Sequence, residues 1–180
     1  MTSPALKTAI HDVFVGFHED ENGQKLVIDG KKAFNIRVIG RVIATFLNED
    51  ETFGSITLDD ETSTIRAKFF SSNISEMKKI QMGDLVEVMG RVKKYQDEVH
   101  MICDSFAVFD DVNYEFLRKL ELLNRNEGFE KQILSSIKAG EAKRDKLIEK
   151  FGQKAVKAIA VLMDKGDIYE GTPGIYSAID

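Results

Sequence analysis

Two long runs rich in β-branched residues, Phe34 to Leu47 and Leu85 to Tyr95, are each interrupted by a single glycine, Gly40 and Gly90. Side chains alternate along a strand, and a glycine inside one marks a bulge or a sharp bend, so both runs are expected to curve. Between them lie two shorter strand patterns, Phe53 to Leu58 and Thr64 to Phe70, joined by the acidic turn Asp59-Asp-Glu-Thr62. After the second of these, Ser71-Ser-Asn73 offers helix-capping chemistry, and Ile74, Met77 and Ile80 are spaced as in a helix of about two turns before Gly83-Asp84. A turn at Asp97-Glu98 then leads into a fifth strand, Val99 to Phe109.

Five strands, with a helix between the third and fourth and glycine bends in the first and fourth, follow the order of an OB-fold, a small Greek-key barrel. This domain is expected over residues 32–110. Residues 1–31 show no clean period and read as an N-terminal arm, with short extended pieces at 10–17 and 25–28 around the turn-like Asp20-Glu-Asn-Gly23, and with Glu19 to Glu21 as a solvated loop. Beyond the barrel the period changes: Asp110-Asp111 can cap a helix from Val112 to Leu123, in which Val112, Phe116, Leu120 and Leu123 form an apolar stripe widened by Leu117. That stripe either folds back on its own domain or joins helices of partner subunits. Asn124 to Gly128 reads as a polar hinge, so 111–125 is expected to hold the helix and hinge. Residues 126–180 then hold three helical pieces, marked by Phe129 and Ile133, by Leu147 and Phe151, and by Ala155 and Ile159, and a terminal hairpin around Gly171-Thr-Pro-Gly174. Helices followed by a hairpin in that order describe a winged helix. The fold class expected is α+β: a five-stranded OB-fold barrel, a helix and a C-terminal winged-helix domain.

Alternation assigns the candidate binding residues. Ile65, Ala67 and Phe69 fall on one side of the third strand, leaving Arg66, Lys68 and Phe70 on the other; Arg91, Lys93 and Tyr95 share a face of the fourth. Cations that track phosphates beside rings that stack on bases are the equipment of single-strand binding. The same residues also admit a plainer reading, with the rings as rim hydrophobics under a loop or partner and the cations as solvated charges that discourage edge pairing. Arg37 and Arg41 lie on one face of the first strand, toward the groove or away from it.

The formal net charge is −5, from 25 Lys and Arg against 30 Asp and Glu, which argues against coating nucleic acid by bulk electrostatics. The acids gather in loops, Asn48 to Glu51 and Asp59 to Glu61, leaving room for a local basic face. A single cysteine, Cys103, excludes an internal disulfide and a multi-cysteine zinc site and reads as a core thiol. His11, His18 and His100 are scattered, and no phosphate-cradling glycine loop is present. Neither an enzyme activity nor a cofactor or metal is expected. No apolar run approaches the roughly 20 residues of a membrane helix, and an intracellular protein is expected. In the third helix of the C-terminal module, Gln153, Lys154 and Lys157 could face DNA, yet residues 127–180 carry nine basic and nine acidic side chains, which favours protein docking over duplex binding.

Val88-Met-Gly-Arg-Val-Lys-Lys-Tyr-Gln96 and Asp111-Val-Asn-Tyr-Glu-Phe116, in the order barrel, helix and winged helix, resemble the middle subunit of replication protein A, particularly its archaeal members. The resemblance implies that Phe70 and Tyr95 stack on bases, with Phe70 where eukaryotic relatives usually carry Trp, and that the helix at 112–123 assembles the subunits. It further implies a winged helix that recruits replication or repair proteins. The implied function is that of a non-catalytic subunit of a heteromeric complex that binds single-stranded DNA in replication, repair and recombination. Two alternatives stand beside it: a scaffold whose barrel binds no nucleic acid alone, and a winged-helix regulator on duplex DNA.

Overall fold

A computed structural model describes residues 4–21, 23–70 and 73–179. In chain order the elements are β1 (Leu6–Lys7), α1 (Ile10–Gly16), β2 (Phe17–Asp20), β3 (Gly23–Ile28), β4 (Lys31–Ala33), β5 (Ile36–Leu47), β6 (Phe53–Asp59), β7 (Thr64–Phe70), α2 (Ile74–Met77), β8 (Leu85–Tyr95), β9 (Glu98–Phe109), α3 (Asn113–Lys138), α4 (Arg144–Phe151), α5 (Lys154–Asp164), β10 (Ile168–Thr172) and β11 (Ile175–Ala178). They divide into two compact units: residues 1–26 with 33–120, and residues 27–32 with 121–180.

In the first unit the sheet runs β1-β5-β6-β7-β9-β8, and β8 pairs again with β5. The double pairing depends on β5, which is antiparallel to β8 over Ile36 to Arg41 and to β6 over Arg41 to Leu47. Gly40 sits at the change of partner, where a Cβ would come 2.7 Å from the carbonyl oxygen of Asp59. Gly90 is more constrained still. It lies at a bulge in the β8–β9 ladder, and a Cβ there would stand 2.0 Å from the carbonyl oxygen of Ile102. Both glycines thus permit close backbone approach, and Gly90 marks a bulge as expected. Alternation holds across the middle of the sheet: Ile65, Ala67 and Phe69 are buried, as are Ile56, Leu58, Val86, Val88 and Met101. Cys103 joins them, and burial, aided by the Asp104 carboxylate, pushes its thiol up to about 12.

Three expectations change. Residues 1–31 are not simply an arm: β1 pairs in parallel with β5, Ile10 and Val13 of α1 are fully buried, and β2, β3 and β4 form a sheet of their own. Glu19 lies in β2 rather than in a loop, and hydrogen bonds from Gln24 and Lys94 hold its carboxyl below the usual range. Second, α2 is only one turn, with no side-chain cap from Asn73; Ser71, Ser72 and Asn22 lie outside the described residues. Third, no hinge interrupts α3, which is continuous from Asn113 to Lys138. A polar stretch with one glycine costs a helix about 1 kcal/mol, and the burial of Phe129, Ile133 and Ile137 beyond it outweighs that.

In the second unit, Phe129, Ile133, Ile137, Leu147, Phe151, Ala155, Ala158, Ile159, Leu162, Ile168 and Tyr176 form one buried cluster. The hairpin β10–β11 follows α5, and Lys143, just before α4, makes an isolated antiparallel bridge to Ile175. The turn between β3 and β4 belongs to this unit too. Its Asp29 carboxylate pairs with Lys154 at 2.8 Å and Arg125 at 3.0 Å, and Gly30 lies against the backbone of Lys150 and Phe151.

Candidate nucleic-acid interface

Strand register brings the candidate residues together. On the face opposite the core, Ala44, Thr57, Arg66, His100 and Lys93 line up in one row across β5, β6, β7, β9 and β8, and Phe46, Ser55, Lys68, Ile102 and Arg91 in the next. Phe70 lies one step beyond the second row, and Tyr95 one step beyond the first, so the two rings border the cations on opposite sides. Both are well exposed, at 47% and 67%.

Local electrostatics modify the picture. Glu98, read from sequence as a turn residue, opens β9 and projects its carboxylate to Arg66 at 2.8 Å and Lys68 at 3.2 Å. Arg91 reaches Asp104 at 3.4 Å. Lys93 makes no ion pair among the described residues, and is exposed. His100, in the middle of the face, is only 5% exposed; burial lowers its pKa, the hydrogen bond with the Glu98 carbonyl opposes this, and nearby Lys68 lowers it further. Beside Tyr95, the Gln24 side chain donates to the Lys94 carbonyl at 2.8 Å and accepts from the Lys94 amide at 3.1 Å, tying β3 to the edge of β8.

Sequence alternation missed Phe46 and Phe53. Val38 and Val42 point inward, and simple parity would send Phe46 inward as well, but a bulge between Val42 and Ala44 shifts the register and turns Phe46 outward, 56% exposed. Phe53 is paired directly with Phe70, ring centroids 5.3 Å apart, and with Phe46 at 6.1 Å. The only available signal was that both rings flank the acidic loop 48–51.

Arg37 and Arg41 do not join this face. Arg37 and Arg118 both pair with Glu87, while Arg41 pairs with Glu115 at 3.0 Å and donates to the Gly83 carbonyl. They and Lys119, which bridges Glu115 and Glu61, attach the start of α3 to the sheet through polar side chains. The apolar stripe is consequently left outside: Val112, one residue before α3, is 61% exposed, and Phe116, Leu120 and Leu123 within it are 62%, 43% and 59% exposed. Folding back on its own domain is therefore accomplished by Glu115 and Arg118, not by the stripe. Among the described residues no group of three or more His, Cys, Asp or Glu could hold a metal ion, and no helix is long and apolar enough to cross a membrane.

Comparison with known proteins agrees with this architecture. Residues 36–109 match the family described as an OB-fold nucleic acid binding domain of the tRNA anti-codon type. An uncharacterised protein of Methanocaldococcus jannaschii is 25% identical over 188 residues, covering 86% of this chain and 79% of its own. Among solved structures, the Stn1–Ten1 complex of S. pombe contains a chain with a TM-score of 0.62 at 20% identity, covering 70% of this chain and 93% of that one. A replication protein A heterotrimer bound to single-stranded DNA contains another, with a TM-score of 0.60 at 15% identity, covering 71% and 98%. The chain therefore contains an OB-fold domain over residues 36–109, similar in fold to subunits of these two assemblies.

Proposed function

We propose that this protein is a non-catalytic, intracellular subunit of a replication protein A-like complex that binds single-stranded DNA in replication, repair and recombination. The observation that carries the reading is the single exposed sheet face on which Arg66, Lys68, Arg91 and Lys93 lie between the rings of Phe70 and Tyr95. Cations in rows suit a phosphate backbone, and exposed rings suit unpaired bases, whose faces a duplex hides. The outward stripe Val112, Phe116, Leu120 and Leu123 is the surface for helices of partner subunits, since a helix that docks by its polar side needs other apolar partners for that stripe. The fold neighbours, both from heteromeric assemblies, support this, and the Methanocaldococcus relative fits an archaeal type.

The C-terminal module acts as a winged helix that recruits replication or repair proteins. Its helices, terminal hairpin and Lys143–Ile175 bridge support the fold; the engagement of Lys154 by Asp29 and Asn126 removes one of three candidate DNA-facing side chains and favours protein docking. One observation favours a second reading, in which the domain only bridges proteins: Glu98 already pairs with two of the four cations. Fluorescence anisotropy with an oligo-dT strand and a duplex of matched length separates the two. Salt-dependent strand binding that drops by about tenfold or more in the Phe70→Ala, Tyr95→Ala double variant is expected; equal weak binding by both proteins would reject the DNA face.

A further inference from the structure

We propose that Gln24, on the N-terminal sheet, is a positioning residue for Tyr95: its side-chain amide stands in for a missing strand and keeps the tip of the β8–β9 ribbon ordered before DNA arrives. This rests on the single-strand reading above. The ribbon needs such a support. β8 pairs with β5 only as far as Gly90, and β9 pairs with β7 only from His100 to Ile102. Beyond those limits the pairs Lys94–Val99 and Tyr95–Glu98 have no second strand beside them. A two-stranded hairpin on its own is marginally stable in water. A ring carried at such a tip loses part of its stacking energy in ordering the backbone beneath it.

Gln24 supplies what the absent strand would. Its amide nitrogen donates to the Lys94 carbonyl at 2.8 Å and its amide oxygen accepts from the Lys94 N–H at 3.1 Å, the same two bonds that a residue of an antiparallel partner strand exchanges. A primary amide can do this because it carries both the donor and the acceptor of a peptide group. The same nitrogen also donates to the Glu19 carboxylate at 3.0 Å, and Glu19 is paired directly with Gln24 across the β2–β3 ladder. Glu19 in turn takes the Lys94 ammonium at 3.3 Å, closing a ring of three side chains around one peptide group. The hairpin that presents them is itself rooted. Leu26, paired with Phe17, is buried, and α1, which runs straight into β2, buries Ile10 and Val13 completely. An anchored element outside the five strands of the barrel thus fixes the peptide immediately before Tyr95. With Lys94 fixed, alternation holds the Tyr95 ring on the face of Arg91 and Lys93.

The test combines anisotropy titrations of labelled oligo-dT with amide hydrogen exchange read by NMR. It uses the wild-type chain, Gln24→Met, Tyr95→Ala and the double variant. Met keeps the length and bulk of Gln24 and removes its hydrogen bonds, so the packing of the hairpin is retained. The Lys94 amide is expected to exchange slowly in the wild type, a readout that depends on no variant folding, and faster in Gln24→Met. Gln24→Met is expected to weaken strand binding about fivefold. In the Tyr95→Ala background the same change should alter affinity by less than about twofold, because Gln24 acts through that ring. Equal losses in the two backgrounds would overturn the proposal. So would unchanged affinity in Gln24→Met, which would leave Gln24 as no more than cover for a strand edge. In both cases, if Tyr95→Ala still weakens binding, the single-strand reading stands. If the wild-type chain binds no strand at all, both fall.

Discussion

Replacing Glu98 by Gln should strengthen binding of single-stranded DNA, an unusual direction for a substitution at a binding face. The carboxylate sits between Arg66 and Lys68, at 2.8 and 3.2 Å, and any phosphate that uses these cations must first displace it. Glu98, Arg66 and Lys68 are 40%, 49% and 15% exposed, and because the shared carboxylate stays open to solvent each ion pair is worth roughly 0–1 kcal/mol. Two such pairs oppose binding by about 1 kcal/mol, or about fivefold in affinity at low salt. The trio of Arg66, Lys68 and Glu98 carries a net charge of +1, which becomes +2 when Gln replaces Glu. One more charge available to phosphate steepens the log–log dependence of affinity on salt by ~0.7. Anisotropy with oligo-dT between about 50 and 200 mM salt reads both quantities. Unchanged or weaker binding by Glu98→Gln, with an unchanged salt slope, would refute the view that Glu98 competes with the DNA backbone.

Two further predictions concern how α3 is held. Glu87→Ala breaks the buried Glu87–Arg118 pair, in which Arg118 is 6% exposed, and should cost about 3–5 kcal/mol, seen as a fall in the denaturation midpoint; a change of less than about 1 kcal/mol would contradict the buried pair. For Glu115, burial raises the carboxyl pKa, but hydrogen bonds from Lys119 and Arg41 outweigh it and hold it below the usual range. A depressed carboxylate stabilises the native state above its unfolded pKa and loses that contribution as pH falls through the folded value. Urea unfolding from neutral pH downward should therefore show stability declining below the ordinary carboxylate pKa, with a flatter profile in Glu115→Gln; parallel profiles would reject the contribution.

Much of the first domain was legible locally. Strand β7 was expected over Thr64 to Phe70 and β8 over Leu85 to Tyr95, and both are found there, because period-two patterning needs no knowledge of neighbours. The same rule placed Arg66, Lys68 and Phe70 opposite Ile65, Ala67 and Phe69. Of the N-terminal elements only Lys25 to Ile28, within β3, was legible; residues 10–17, expected to be extended, form helix α1 as far as Gly16, and β1, too short for a period to declare itself, is held by its pairing with β5.

By itself, then, the sequence determined the order of elements from β5 to β9, the special positions of Gly40 and Gly90, and which side chains of β7 share a face. These follow from steric and burial preferences that act within a few residues. Only the tertiary structure decided that Glu98 faces Arg66 and Lys68, because that depends on the parallel pairing of β7 with β9, which brings together residues some thirty positions apart. It also decided that Phe46 turns outward, through a bulge that shifts the register by one, and that α3 docks by Glu115 and Arg118 and leaves its apolar stripe exposed. In each case the outcome depends on which partner is adjacent in space, and no spacing along the chain encodes that.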